Sequence, residues 1–226
     1  MRKHNLVPGN IYHVYNRGVE KRQIFLDNRD YARFIKGMTV FNDSDLVFNF
    51  EERFRAVLGG SHEREPLVDI MAFCLMPNHF HLLLKQKTEF GVSEFMKKLG
   101  GGYTNYFNLK NERVGALFQG KFKSVWIGRD SHFLYMPHYI HLNPLDLCFP
   151  GWRKRGVSRK DTKRAIDFLS EYEWSSYSDY TGKNNFNVVL SKAWLEEYFS
   201  EDEYRKDLID YVTDPRLDPI DDLLLE

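Results

Sequence analysis

Along residues 10–16, Ile11, Tyr12, Val14 and Tyr15 surround His13 in an alternating, β-rich pattern that predicts a strand closed by the turn Asn16-Arg17-Gly18. From 27 to 42 the period changes. Tyr31, Phe34, Ile35, Met38 and Phe41 share one side of a helix, and Asp27 or Asn28 can cap its start. Residues 42–66 are polar, carry Gly59-Gly60-Ser61, and read as helix and loop. Residues 68–75 form a strong apolar strand. Met76-Pro77-Asn78 interrupts it, because proline has no N–H for a ladder, and residues 79–85 resume as a strand. The spacing over 92–110 is helical despite Gly100-Gly101-Gly102, a triplet expected to weaken or bend the helix. A basic, aromatic strand region is predicted over 117–127. A helix follows over 130–142 and stops at Asn143-Pro144, since a residue before proline avoids the helical region. Beyond it, 151–163 reads as a basic linker or loop, 165–172 as a short helix and 174–182 as an aromatic, turn-like stretch. Residues 190–211 read as mostly helical and acidic, followed from 214 by an irregular tail.

Length changes this picture little: 226 residues suit one compact domain with additions, and no internal repeat is visible. Charge changes it more. The net charge is zero, which argues against a general polyanion binder. Yet Lys97, Lys98, Lys110, Arg113, Lys121, Lys123 and Arg129 face only Glu112 in the middle of the chain, while acidic residues dominate after Glu196. A basic middle with interleaved aromatics allows local nucleic-acid affinity; solvated helix faces are the plainer account. Cys74 and Cys148 lack metal-type spacing and fit a reducing compartment. No apolar leader follows the N-terminal charges, and no apolar run reaches the length of a membrane span. The expectation is a cytoplasmic protein, associated with the nucleoid when bound to DNA, with no membrane partner.

Candidate chemistry lies in two places. His79-Phe80-His81 puts two imidazoles on one face of a strand and Phe80 on the other, so the pair can grip one metal ion or merely occupy two polar surface positions. Tyr139 and Asn143 stand four apart on a helix and share a face, unless Tyr139 packs and Asn143 simply caps. Together the two features are more telling. Asn143 can complete a three-ligand site with His79 and His81, and neutral N and O ligands admit Mg²⁺ or Mn²⁺ when a phosphate supplies the charge. Such a metal would set a phosphate in line with Tyr139, whose phenol has an ordinary pKa of about 10. A phosphotyrosyl intermediate conserves bond energy for rejoining, so no ATP site is needed, and no GxxxxGK[ST] pattern occurs. For contact with DNA the candidates are Arg17, Lys21 and Arg22 after the first strand, and Lys121, Lys123 and Arg129 flanking Phe122 and Trp126. His13, His132, His138 and His141 are taken as structural or surface residues.

Four ordered blocks now carry a resemblance: Tyr12-His13-Val14-Tyr15-Asn16-Arg17-Gly18; Cys74-Leu75-Met76-Pro77-Asn78-His79-Phe80-His81-Leu82-Leu83; Phe118-Gln119-Gly120-Lys121-Phe122-Lys123-Ser124; and Tyr139-Ile140-His141-Leu142-Asn143-Pro144. They resemble the REP-associated tyrosine transposases, within the IS200-like Y1 transposases and the HUH single-strand nucleases. Trp174-Ser175-Ser176-Tyr177 is similar to a segment that often follows the core in this group, and the likeness spans roughly residues 6–182. The resemblance implies an α+β, ferredoxin-like or RRM-like sandwich, with helices on a central antiparallel sheet and a C-terminal helical extension. It implies a catalytic domain over 1–150 and an extension over 151–226. It also implies Tyr139 as the catalytic tyrosine, His79, His81 and Asn143 as ligands of Mg²⁺ or Mn²⁺, and a single-stranded DNA hairpin as substrate, acted on by a monomer or homodimer. Three details depart from the pattern: Pro137 sits two residues before Tyr139, Asp146 stands where a basic residue is common, and residues 42–66 exceed what a compact core needs. Competing functions are a relaxase or replication-initiator nickase, a non-catalytic single-stranded nucleic-acid-binding module on an RRM-like fold, and a simple metallohydrolase.

Overall fold

The computed structural model describes residues 5–191, 195–198, 200–214 and 216; the predicted irregular tail lies almost wholly outside them. In chain order the core runs β1 (Ile11–Arg17), α1 (Asn28–Val40), α2 (Phe50–Leu58), β2 (Val68–Met76), β3 (His79–Gln86), α3 (Gly91–Lys110), β4 (Lys123–Ile127) and α4 (Asp130–Leu142). The extension adds α5 (Trp152–Arg155), α6 (Thr162–Glu171), α7 (Tyr177–Tyr180), α8 (Leu195–Tyr198) and α9 (Glu201–Thr213). One antiparallel sheet in the order β2-β3-β1-β4, with α1 and α3 as crossovers, makes this a ferredoxin-like α+β sandwich.

Alternation along the strands divides the interior. Tyr12, Val14, Phe73, Leu75, Phe80, Leu82 and Leu84 pack under α1 and α3, against Phe34, Met38, Phe95, Leu99 and Tyr103. Met71, Ala72, Cys74, Met76 and Leu83 face the opposite way, onto Tyr135, Met136, Tyr139 and Ile140 of α4 and onto Leu169, Tyr204 and Leu208 of the extension. A register shift between Ile70 and Ala72 in β2 lets the consecutive Met71 and Ala72 both serve this second core. Burial on both faces therefore fixes which way each strand residue points, and a one-residue slip would exchange the two cores.

Asp27 caps α1, accepting from the Arg29 and Asp30 backbone, and the fully buried Asp30 pairs with Lys110 at 2.5 Å to tie α1 to α3. The long polar stretch after α1 folds as α2, with Asn49 as its cap.

The glycine triplet, expected to weaken or bend α3, lies inside a continuous helix, because Phe95, Leu99, Tyr103 and Phe107 anchor it on the core to either side. Two local expectations are corrected. The strand expected over 117–127 is regular only from Lys123: upstream, Asn16 donates to the Gly120 carbonyl, Gln119 N to the Arg17 carbonyl and Val19 N to the Leu117 carbonyl, and Gly18 bridges Phe118, so the pairing along β1 is interrupted and resumes beyond its end in a shifted register. The 151–163 stretch, expected as a linker or loop, contains α5, seated by the buried Trp152. The aromatic 174–182 stretch holds the one-turn helix α7. Just before it, Trp174 accepts from Leu75 N at 2.8 Å and Ser176 N donates to the Phe73 carbonyl at 3.0 Å, which pairs the outer edge of β2.

The triplet gives a test. A Cβ at Gly101 meets nothing within 4 Å, whereas one at Gly102 collides with the Phe41 ring. In urea denaturation we expect Gly101→Ala to stabilise by about 0.5–1 kcal/mol, as helix propensity requires, and Gly102→Ala to destabilise by about 1 kcal/mol or more through overpacking. Equal effects at the two positions would contradict the packing of α3 on Phe41.

Candidate functional site

β3 places His79 and His81 on the α4 side of the sheet and Phe80 in the α1/α3 core, as the i, i+2 spacing requires. Asn78 Oδ1 can only accept, so the 2.6 Å contact with His79 Nδ1 puts the proton on that nitrogen and leaves Nε2 with its lone pair. His81 is fully buried, and its Nδ1 lies 2.9 Å from His13 Nε2 on the neighbouring strand. With the proton on His81 Nδ1, that ring too presents Nε2 as a donor atom. Metal-binding imidazoles are commonly oriented in this way, by a hydrogen bond at the other nitrogen. Burial pushes the pKa of His13 down to about 3 and that of His79 to about 4, the latter with help from the charges of Arg17 and Arg153; burial, then His13 and His79, hold His81 well below the ordinary range. Neutral rings are what a divalent cation needs, so the donor set fits one.

Tyr139 reaches this cluster from α4. Its ring stands edge-on to His13 at 5.6 Å and to His81 at 5.9 Å, and His13 and His81 stack with Tyr15. Pro137 lies in the helix interior and removes the N–H that would otherwise bond Phe133, yet α4 continues through Leu142. Asn143 does cap α4: its Nδ2 donates to the carbonyls of Tyr139 and Ile140 at 2.8 and 3.2 Å. That leaves Oδ1 as the atom with which Asn143 could hold a cation, and it accepts from Arg153 Nη2 at 3.0 Å. The Arg153 guanidinium, from α5, sits 4.9 Å over the Tyr139 ring and is held by Asp146, whose Oδ2 accepts from its Nε at 3.3 Å.

The rear of α4 is tied to the extension. His141 bonds the Tyr204 hydroxyl at 2.6 Å and Ser176 Oγ at 2.7 Å, and His138 stacks on Tyr204 at 4.1 Å. The acidic helix α9 thus presents Tyr204, Leu208 and Val212 to the second core and its charges to solvent. Of the four histidines taken as structural, His138 and His141 fit that account, while His13 is corrected to a member of the site. Its alternation with Tyr15 on one face was visible in the sequence, but the register that sets it opposite the histidine pair was not. Arg153 was hidden among neighbouring basic residues.

At the β1–β4 end of the sheet a groove of about 1940 Å³ runs between α3 and β4. Lys121, Lys123, Trp126 and Arg129 line one wall, and Lys97, Gly100, Gly101 and Thr104 the other; Tyr15 and Asn16 reach it from β1. Trp126 is 47% exposed, its indole seated where any side chain at Gly128 would strike it. Arg17 pairs with His79 across β1 and β3, while Lys21 and Arg22 stand apart from the groove on the turn after β1.

Another group of side chains of metal-ligating type comes from both sides of α2, Asp43 and Asp45 before it and His62 after it. Asp43, Asp45 and His62 bring donor atoms within 4.8 Å of one another, a set that can coordinate a divalent cation. Arg53 contacts all three and Lys98 bonds the Asp43, Ser44 and Asp45 carbonyls, so positive charge already fills this place.

The family described as "Transposase IS200 like" matches residues 39–143, which include His79, His81, Tyr139 and Asn143. No curated protein matches the chain. A solved structure described as a REP-associated tyrosine transposase bound to a REP hairpin is similar at 14% identity and a TM-score of 0.45, over 84% of this chain and 90% of that one. Among the described residues no helix is long and apolar enough to cross a membrane.

The histidines make stability sensitive to acid. Burial pushes His138 down to about 3 from an ordinary 6.5, so the unfolded chain binds a proton that the folded chain refuses. This contribution is complete above pH 6.5 and is lost as the pH falls toward 3. His138→Phe keeps a ring on Tyr204 and removes the titration. We expect its unfolding free energy to drop between pH 7 and 5 by roughly 2 kcal/mol less than the wild type's. Equal drops in chemical denaturation would mean that His138 is not held neutral.

Proposed function

We propose, from the membership of this chain in the IS200-like transposase family, that it cleaves and rejoins single-stranded DNA with Tyr139 as nucleophile. The observation that carries the proposal is convergence: a sheet histidine pair and a helix tyrosine, 58 residues apart between His81 and Tyr139 (139 − 81), meet ring to ring at 5.9 Å. A non-catalytic binding module has no evident use for a tyrosine ring set edge-on against a neutral, buried imidazole of such a pair.

In this reading His79, His81 and Asn143 hold Mg²⁺ or Mn²⁺, which when bound polarises the phosphate and lowers the barrier to in-line attack. The Tyr139 oxygen attacks phosphorus, the bond to the 3′ oxygen breaks, and the 5′ phosphate stays on the enzyme as a phosphotyrosine that a second 3′ hydroxyl can reverse. Asn78 and His13 hold the two imidazoles in their productive tautomers. The groove between α3 and β4 takes the strand: Lys121, Lys123 and Arg129 follow the phosphates and Trp126 stacks a base, while Arg17, Lys21 and Arg22 make a second contact near His79. The bare backbone face at Gly100 and Gly101 lets the strand lie close to α3. Folded single-stranded hairpins of the repetitive-palindrome type are the proposed substrate, and the motif resemblance supports that choice.

Covalent capture tests the chemistry. With labelled hairpin and Mn²⁺, wild type should give a protein–DNA adduct on a denaturing gel, and Tyr139→Phe and His79→Ala should give none. Cleavage that survives in Tyr139→Phe would mean that water, not tyrosine, is the nucleophile. The DNA path has its own test. Lys121→Gln with Lys123→Gln should weaken binding and reduce the slope of log affinity against log salt by about 1.4, since each single-strand phosphate that a lysine neutralises adds about 0.7. An unchanged slope would remove both lysines from the path.

A further inference from the structure

Arg153 belongs to none of the motifs and lies beyond the matched family segment, yet it touches two of the residues on which the proposed chemistry rests. Its position is built. Trp152 Nε1 donates to Asp146 Oδ1 at 2.8 Å, which orients that carboxylate; Asp146 Oδ2 then accepts from Arg153 Nε at 3.3 Å and Nη2 at 3.4 Å. Nη2 also donates to Asn143 Oδ1 at 3.0 Å, and the guanidinium plane lies 4.9 Å over the Tyr139 ring. These contacts use Nε and Nη2. No bond to Nη1 is found among the described residues, and the side chain keeps 31% of its exposure. The fork is therefore fixed on one side and open on the other, between the nucleophile and a ligand position. The pull of its charge on both His79 and His81 places it at the same cluster.

Resting on the tyrosine reading above, we propose that Arg153 is a catalytic residue, donating from Nη1 to a non-bridging oxygen of the phosphate that Tyr139 attacks. As the bond from the tyrosine oxygen to phosphorus forms, the electron pair of the breaking P–O bond leaves with the 3′ oxygen. The phenolic proton goes to solvent, and solvent protonates the leaving 3′ oxygen. Arg153 exchanges no proton. It stabilises negative charge on the equatorial oxygens, and a guanidinium fixed beforehand by Asp146 does so without reorganising during the reaction. Asp146 neutralises that guanidinium while the site is free of DNA. Asn143 Oδ1, with two lone pairs, can accept from Arg153 and still face a cation.

The test is the single-turnover rate of adduct formation by the full chain at saturating hairpin, with Mn²⁺, for wild type, Arg153→Gln and Arg153→Lys. Each is run on a normal scissile phosphate and on a methylphosphonate, in which one non-bridging oxygen is replaced by an uncharged methyl group. On the normal phosphate Arg153→Gln should be slower by about 100-fold, the usual effect of losing one preorganised donor, with Arg153→Lys recovering part of that loss. On the methylphosphonate the penalty of Arg153→Gln should shrink to a few-fold, because the charge it answers is gone. A purely positioning role would slow both substrates equally, and that result, or an unchanged rate on the normal phosphate, overturns the proposal while leaving Tyr139 in place. Failure of wild type to form any adduct overturns the tyrosine reading and this role with it.

Discussion

An imidazole sealed from water must have its ring nitrogens engaged, and His81 is sealed completely, in the middle of a sheet with helices on both faces. The hydrogen bond to His13 on the adjacent strand meets that demand at Nδ1. Much of the molecule follows from it. The pairing of β1 with β3 must hold the register that sets Tyr15 opposite His81, with His13 two residues along the same face. Phe80, between the two histidines, must then enter the opposite core, and α4 must close over the imidazoles with a side chain that tolerates them. Tyr139 does this with a ring edge, an arrangement in which aromatic packing and chemical positioning make the same geometric demand.

Sequence periodicity described this framework well wherever a residue's neighbours along the chain decide its direction. The strand direction of His79 and His81, the inward turn of Phe80, the cap at Asp27 and the bounds of α4 are all local consequences of alternation, helical period or a proline. It failed where distant chain segments decide. Whether the aromatic stretch before Lys123 extends the sheet depends on the end of β1, which captures Gln119 and Gly120. His13 joins the site through strand register and Arg153 through a fold-back of α5, and Arg153 has no signature in its own neighbourhood.

Asn143 shows how a structural role can fix an orientation. Its amide nitrogen serves the helix as a cap, which turns its amide oxygen toward Arg153, the direction that a ligand role would also use. The same economy appears at the back of α4, where His141 meets Tyr204 on one ring nitrogen and Ser176 on the other. Holding the helix from behind presses its other face, with Tyr139, onto His13 and His81.

The clip formed by Trp174 and Ser176 on the edge of β2 has a consequence for how this chain can change over time. Its main-chain half could be supplied by any residue type, since Leu75 N meets the Trp174 carbonyl and Ser176 N the Phe73 carbonyl. Side chains narrow that freedom: Trp174 stacks on Tyr31 at 4.5 Å, Ser175 Oγ donates to the Phe73 carbonyl at 3.4 Å, and the Ser176 hydroxyl accepts from Phe73 N and also meets His141. Drift in the clip is therefore checked from two sides, by a ring that ties it to α1 and by a hydroxyl that ties it to the helix carrying Tyr139.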